Sequence, residues 1–274
     1  ILVYNLDRTV IKYSVKKEKK GIADEKEHLL RVTRLATPIV NADGSTRKYE
    51  YKKGVPTYPF FPPMLCDKFE KQEQIKTLII TEGYKKAFKA AMHGMDVVGL
   101  GSITHFRDKE TGKLHSDIAK LIKTCKVERI IFLQDGDCLN LTGKLFNQNK
   151  ELVDGFENVD LYKRPNSFYA AVNTFADVFS ETQFEPIKKY FAHPLSDILA
   201  PHYPKGLDDL LTAYPGKEEE INNQLLDFNT KSGRIFQNQY FAKIDVTSST
   251  YDVKKYFRLG NVDDFYNFYI EKYP

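Results

Sequence analysis

The chain has 274 residues, of which 42% are hydrophobic and 28% are charged, and its formal net charge is +4. These proportions are typical of a globular protein and exclude an intrinsically disordered chain. No apolar segment approaches the length that spans a bilayer, and no signal-peptide pattern is present, so we expect a cytoplasmic protein without a membrane partner. The three cysteines are isolated, which argues against a disulfide framework and a CxxC zinc site. Because the first residue is Ile1, we expect the chain to be part of a longer protein.

The first 70 residues are basic, with 14 Lys and Arg against 9 Asp and Glu. Their pattern predicts strands at residues 10–15, 29–35 and 48–51. A basic surface suits a polyanionic partner, because each neutralised phosphate releases counterions. The alternative interpretation is a solvated, lysine-rich surface. The proline-rich residues 59–63 predict a boundary, and the basic residues 68–76 after it predict a linker.

From residue 77 onwards, apolar strand patterns alternate with amphipathic helix patterns. Strands are predicted at residues 77–81, 97–100 and 129–134. The first helix should begin near Gly83 and stop at Gly94, and Ser116 is the expected N-cap of the second helix. This βαβαβ order predicts an α/β fold with a parallel sheet flanked by helices.

The pattern is less regular after residue 137. We expect strands at residues 158–162, 188–192 and 239–246. Helices are expected after the cap Ser167, after Gly206, and at residues 217–228 and 262–273. The predicted organisation is therefore a basic β-rich N-terminal subdomain at 1–74, an α/β domain at 75–215 and a small α+β C-terminal extension at 216–274.

Two of the predicted strands end in acidic residues. Glu82 follows the first strand, and Asp135 and Asp137 follow the third. Ligands of open α/β sheets bind at the carboxyl ends of the strands, so we expect these side chains to converge. Clustered carboxylates repel one another unless a cation joins them, and oxygen ligands suit Mg²⁺, with Mn²⁺ as the alternative ion. The simpler alternatives are a glutamate that satisfies helix N–H groups and an Asx-turn around Gly136.

Lysines and further acids accompany this trio. Lys85 and Lys86 occupy the first turn of the expected helix, where the helix dipole disfavours cations unless a bound anion offsets the conflict. Lys205 precedes the adjacent acids Asp208 and Asp209 at another expected helix start. These two acids either complete a metal position or are ordinary charges at a helix N-terminus.

Together these motifs resemble the TOPRIM domain shared by bacterial-type primases, type IA and type II topoisomerases and some nucleases. The likeness is closest to TOPRIM-like primase regions of plasmid, phage and mobile-element replication proteins, and it covers about residues 75–215. The first 70 residues resemble, more loosely, the basic subdomain that precedes TOPRIM in primases. The residues that carry the resemblance are Glu82-Gly83-Tyr84-Lys85-Lys86-Ala87, Gly99-Leu100-Gly101, Asp135 with Asp137, and Lys205-Gly206-Leu207-Asp208-Asp209.

The resemblance implies that Glu82 assists proton transfer, that Asp135 and Asp137 hold Mg²⁺, and that Asp208 and Asp209 are auxiliary ligands. It implies nucleotidyl transfer, with primer synthesis from nucleoside triphosphates on a single-stranded DNA template as the expected activity. A helicase domain or protein is the expected partner in replication. The residues expected to bind phosphates are Lys85, Lys86, Lys205, Arg31, Arg34, Arg47 and Lys48.

Two other functions remain compatible with the same residues. One is a Mg²⁺-dependent nuclease, and the other is a non-catalytic nucleic-acid-binding module whose acids are structural. A dinucleotide-binding oxidoreductase is disfavoured, because the sequence from Gly99 to Thr104 lacks the third glycine of that fingerprint. No P-loop is present, so the chain does not encode an ATPase motor.

Overall fold

The computed structural model describes residues 2–19, 22–40, 46–50, 58–140 and 162–257. The helix expected at residues 262–273, and residues 158–161 of an expected strand, lie outside the described residues. No helix in the described part of the chain combines the length and the apolar character needed to cross a membrane. All three cysteines are buried and unpaired.

The N-terminal part consists of two antiparallel strand pairs. Strand β1 (Lys12–Lys19) pairs with β2 (Ile22–Leu29), and β3 (Thr33–Val40) pairs with β4 (Thr46–Glu50). The expected β-rich character is therefore confirmed, although the strand boundaries differ from those predicted. The inward side chains are Val3, Ile11, Leu30 and Val32, which join an apolar cluster with the α/β part of the chain.

Strands and helices alternate in the central part, as predicted. The strands are β5 (Thr77–Glu82), β6 (Val97–Leu100), β7 (Arg129–Leu133) and β8 (Lys188–Pro194). The helices are α1 (Pro63–Glu70), α2 (Tyr84–Met92), α3 (Ser116–Thr124) and α4 (Lys163–Val178). Short 3-10 turns lie at Gly136–Leu139, Thr182–Phe184 and Ser196–Ile198.

The C-terminal part adds helices and three short strands to the same sheet. Its helices are α5 (Leu207–Ala213), α6 (Glu218–Leu226) and α7 (Tyr251–Tyr256). Its strands are β9 (Lys231–Ser232), β10 (Ile235–Gln237) and β11 (Phe241–Asp245). Because β11 pairs directly with β8, the predicted C-terminal extension continues the central sheet.

The central sheet has seven strands among the described residues, in the order β6-β5-β7-β8-β11-β10-β9. The first four are parallel, and the remaining three pairings are antiparallel. The predicted α/β class is confirmed, and so are parallel strands for β6, β5, β7 and β8, but the complete sheet is mixed because β11, β10 and β9 add antiparallel strands. Short turns connect β9 to β10 and β10 to β11, as antiparallel neighbours allow, whereas β11 pairs with β8 although residues 195–240 separate the two strands.

Both faces of the parallel strands are covered by helices. Leu78 and Ile80 of β5 point into one apolar cluster, and Ile79 points into another. The first cluster includes side chains from α1, α3 and α4, and the second includes side chains from α2, α5 and α6. This double coverage explains why β5 is an unbroken apolar run in the sequence.

Three local predictions need correction. Residues 68–70 of the predicted linker at 68–76 belong to α1, which begins at Pro63, a residue suited to the first helical position, and buries Leu65 and Cys66. The N-cap of α3 is His115, whose Nδ1 accepts a hydrogen bond of 3.3 Å from the backbone N–H of Asp117. Ser167 lies inside α4, where its hydroxyl donates to the backbone carbonyl of Lys163 over 2.6 Å.

Candidate active site

The acidic side chains lie where the order of the parallel strands reverses. Strand β6 lies on one side of β5, and β7 lies on the other, so the connections leave the sheet in opposite directions. In such sheets the crevice outside the carboxyl ends at this point is where ligands bind. Thr81 is level with Leu133, which places Glu82 at the end of β5 next to the segment that carries Asp135 and Asp137. The structure thus brings the three acids to one edge of the sheet.

Three cations among the described residues contact these acids. Lys86 Nζ, in the first turn of α2, donates a hydrogen bond to Asp135 Oδ1. Lys205 Nζ lies 2.8 Å from Asp137 Oδ2 and 3.9 Å from Asp135 Oδ2. Arg164 Nη2, at the start of α4, lies 2.9 Å from Asp137 Oδ2. The site is therefore a mixed cluster of acids and bases and not an isolated group of carboxylates.

Asp208 belongs to the same cluster, and Gly206 is the residue that allows it to approach. A Cβ atom at Gly206 would lie 2.9 Å from Asp208 Oδ1, 3.0 Å from Lys86 Cε and 3.1 Å from Asp135 Oδ1. The backbone of Gly206 is therefore in close contact with three charged side chains. A hydrogen bond of 2.7 Å from the N–H of Gly136 to the carbonyl of Lys205 holds this loop against the end of β7.

Asp209 has a different role from its neighbour Asp208. Its Oδ2 accepts a hydrogen bond of 3.2 Å from the backbone N–H of Gly206, and its side chain is exposed. This contact is typical of an acid that stabilises the first turn of a helix. The pair predicted as auxiliary ligands is thus divided into one acid in the cluster and one acid at the helix start.

The other predicted phosphate-binding residues lie outside the acidic cluster. Lys85 is exposed, and its Nζ lies 5.2 Å from the centre of the Tyr49 ring in β4. Arg31 and Arg47 are exposed in the N-terminal part. The backbones of Arg34 in β3 and Lys48 in β4 are described, but their side chains are outside the described set.

Burial changes the proton affinity of this cluster. Burial raises the pKa of Glu82 and of Asp208, and the ammonium of Lys86 opposes the shift in both. Burial alone would lower the pKa of Lys86, but the charge and hydrogen bond of Asp135 together with the charges of Asp208 and Glu82 outweigh burial and raise it. A glutamate with a raised pKa beside paired cations is the pattern expected where protons are exchanged.

The donor atoms of the cluster fit a divalent cation. Asp137 Oδ1 and Asp208 Oδ1 are buried and have no hydrogen-bond partner among the described residues, which is costly for a carboxylate. Oxygen atoms of this kind are the ligands that Mg²⁺ takes from proteins. Among the described residues, however, no three acidic, histidine or cysteine side chains form a ready metal-binding group. The cations Lys86 and Lys205 hold Asp135 and Asp137 in ion pairs instead.

Sequence reasoning missed Arg164. The predicted helix began at Ser167, so Arg164 was assigned to no element, whereas it lies in the first turn of α4. A cation in a first helical turn conflicts with the helix dipole, and the ion pair with Asp137 offsets that conflict. The same signal had drawn attention to Lys85 and Lys86, and it would have identified Arg164 had the helix start been correct.

Comparisons of the chain with protein-family models, with curated proteins and with solved structures find no match. The TOPRIM resemblance therefore stays a prediction based on the motifs. Any function of the chain has to be derived from the acidic cluster, its cations and its surroundings.

Proposed function

We propose that this chain catalyses Mg²⁺-dependent nucleotidyl transfer on nucleic acid, with primer synthesis on single-stranded DNA as its activity. One observation carries the proposal. Four carboxylates, those of Glu82, Asp135, Asp137 and Asp208, meet where the order of the parallel strands reverses, and two of their oxygens are buried without a partner in the described part of the chain. Such a site favours a ligand that brings its own positive charge.

Asp135, Asp137 and Asp208 would hold the ion, Mg²⁺ or in its place Mn²⁺. When bound, the ion would supply charge neutralisation for a phosphate group and so ease attack on it. Glu82 suits a different task, because its raised pKa brings its proton exchange closer to neutral pH. In this proposal Glu82 takes the proton from the attacking hydroxyl group.

The cations of the cluster would bind the phosphates of the substrate. The side chain of Lys205 is 52% exposed and that of Arg164 is 33% exposed, so both can exchange Asp137 for a phosphate oxygen. Lys86, whose side chain is 19% exposed, would remain beside Asp135.

The N-terminal part would contact the nucleic acid. Arg31 and Arg47 are exposed cations that suit the phosphate backbone of a DNA strand. Lys85 and Tyr49 lie against each other between this part and the acidic cluster. An aromatic ring and a cation together are typical of surfaces that bind single strands, because bases stack on the ring while the cation attracts phosphate.

The proposal is tested by template-dependent incorporation of labelled nucleotide on single-stranded DNA with Mg²⁺. We expect activity in the wild-type protein and a loss of at least about a hundredfold in Glu82→Gln, which is the usual contribution of a group that transfers a proton. Asp135→Asn should also lose activity, because it removes a charge that would hold the metal ion. Asp108→Asn, an exposed acid in a loop outside the cluster, is the matched control and should retain activity. Equal incorporation by all four proteins would refute the proposal.

The same assay separates the two other functions. A nuclease would cleave the DNA in the absence of nucleotides, and it would lose that activity in Asp135→Asn. The non-catalytic module is favoured by one observation, namely that Lys86 and Lys205 already pair with Asp135 and Asp137. DNA binding without any response to Mg²⁺ or Mn²⁺ would support that function.

A further inference from the structure

A cavity of about 320 Å³ lies at the edge of the central sheet opposite the acidic cluster. It opens where β5 and β7 begin, between the turn that follows α2 and the outer side of α6. Strand β5 separates it from Glu82 by about 17 Å, given a rise of about 3.3 Å per residue. The lining of the cavity includes Lys76, Thr77, Met95, Arg129, Asn222 and Leu226.

The cavity carries an excess of positive charge. Lys76 and Arg129 line it, and in the described part of the chain neither has a carboxylate within ion-pair distance. The acid of the cavity wall is Asp96, which is already paired with Lys68 over 2.7 Å. An anionic ligand would therefore meet two cations without displacing an existing ion pair.

Arg129 is held in a position that leaves part of its guanidinium group available. Its Nε donates a hydrogen bond of 3.0 Å to Thr77 Oγ1, and its guanidinium lies 5.5 Å from the centre of the Phe228 ring. These two contacts fix the plane of the guanidinium group and leave the N–H groups of its two terminal nitrogens available to a ligand. A pre-oriented arginine fork of this kind suits the paired oxygens of a phosphate or carboxylate.

The rest of the cavity suits a flat ring. Ile79, Met95 and Leu226 form apolar walls. Asn222 is partly buried at the same wall, and its side-chain amide has no hydrogen bond to the described residues. Its amide offers one donor side and one acceptor side, which match the edge of an adenine ring. The volume is at the lower end of the range found for small-molecule sites, which corresponds to a ligand of one nucleotide.

We infer that this cavity is a binding site for a phosphate ester of about mononucleotide size, with Lys76 and Arg129 on the phosphate and Asn222 on the ring. The site is separate from the acidic cluster and binds its ligand without a divalent ion. It does not depend on the function proposed for the acidic cluster.

The probe is AMP, measured by titration calorimetry in EDTA, with inorganic phosphate and adenosine as its separate halves. We expect AMP to bind the wild-type protein and to bind at least about tenfold more weakly to Arg129→Gln and to Lys76→Gln, since one charge-assisted contact is worth about that much. Asn222→Ala should weaken AMP while leaving inorganic phosphate unchanged. Lys113→Gln, an exposed loop lysine elsewhere, is the matched control and should bind AMP as the wild type does.

The variants also distinguish this site from the acidic cluster. Asp135→Asn should bind AMP with unchanged affinity, because Asp135 lies at the other edge of the sheet. Because Arg129 also bonds to Thr77, the exposed Lys76 provides the variant that leaves the fold intact. The inference is overturned if AMP does not bind, if Lys76→Gln and Arg129→Gln bind it as the wild type does, or if Asp135→Asn abolishes binding.

Discussion

Lys86 Nζ donates a hydrogen bond to Oδ1 of Asp135 and so links the first turn of α2 to the end of β7. Only 19% and 20% of the two side chains are exposed, which makes this a largely buried ion pair. The same ammonium also lowers the pKa of Glu82 and of Asp208 against the effect of burial. One lysine therefore compensates three carboxylates that come from three separate elements.

Removal of Lys86 should destabilise the protein. We expect Lys86→Gln to lower the free energy of unfolding at neutral pH by about 2 kcal/mol, somewhat less than for a fully buried pair, because Asp135 loses its partner. Urea unfolding measures the change. The matched control is Lys85→Gln on the exposed side of the same turn, which should cost no more than about 0.5 kcal/mol. Equal costs for the two variants would contradict this account of the pair.

The same substitution should strengthen the binding of Mg²⁺. In the proposed site, the ammonium of Lys86 competes with a metal ion for Asp135, and its removal leaves the carboxylate free. We expect Mg²⁺ to raise the melting temperature of Lys86→Gln more than that of the wild type, since a ligand that binds the folded state stabilises it by mass action. In the double variant Lys86→Gln/Asp135→Asn the additional stabilisation should disappear. If Mg²⁺ affects none of these proteins, the metal assignment is wrong.

The pH dependence of stability should reflect Glu82. Burial raises the pKa of this acid above its ordinary value, so the folded state binds its proton more tightly than the unfolded state does. Its contribution to stability is therefore fully present below the unfolded pKa and is lost as the pH rises through the folded pKa. Glu82→Gln should be more stable than the wild type at about pH 8, and the gap should narrow towards about pH 4. Urea unfolding at both pH values measures this difference in the free energy of unfolding. A difference that grows towards acidic pH would show that the pKa of Glu82 is lowered and not raised.

The adjacent acids Asp208 and Asp209 should respond in opposite ways. Asp208→Asn removes a buried charge whose pKa is raised by burial, so it should increase stability at neutral pH and reduce Mg²⁺-dependent activity. Asp209→Ala removes the acceptor of the Gly206 N–H, so it should cost about 1 kcal/mol and leave activity intact. Urea unfolding and nucleotide incorporation by the two variants measure both effects. If Asp208→Asn destabilises the protein without loss of activity, or Asp209→Ala abolishes activity, the separate roles of the two acids are refuted.

The acidic edge of the sheet could be predicted from the sequence because two simple rules determine it. An unbroken apolar run followed by a helix predicts a buried parallel strand, and the residue after each run then lies at the carboxyl edge. Glu82 and Asp135 needed nothing more than these rules. Lys85 and Lys86 could be singled out because a cation in the first turn of a helix conflicts with the helix dipole.

Other features depend on contacts between distant segments, for which the sequence offers no local signal. The antiparallel pairing of β8 with β11 joins residues 188–194 to residues 241–245, and neither strand shows its direction in its pattern. The separate roles of Asp208 and Asp209 follow from the position of Gly206 against Lys86. The cavity at Arg129 likewise combines two strand starts with a helix that is formed much later in the chain.

Gly99 offers a last test of how α2 is positioned at the site. A Cβ atom there would lie 2.8 Å from the Cβ of Ala87 and 3.2 Å from the backbone of Tyr84, both in α2. Gly99 also exchanges two backbone hydrogen bonds with Phe60, of 2.7 and 2.9 Å, so the strand cannot shift away freely. We expect Gly99→Ala to cost about 1–3 kcal/mol in urea unfolding, as overpacking usually does.

A second substitution should separate this clash from a general effect on the strand. Ala87→Gly removes the closest contact, so the additional cost of Gly99→Ala should be smaller in that background, even though a helical glycine itself costs about 1 kcal/mol. The matched control is Ala91→Gly, a buried position one turn further along α2 that imposes the same helical cost and leaves the clash in place. Because α2 carries Lys86, Gly99→Ala should also lower the Mg²⁺-dependent activity, and Ala87→Gly should restore it. If Ala91→Gly reduces the cost of Gly99→Ala by the same amount as Ala87→Gly does, the contact between Gly99 and Ala87 does not position α2.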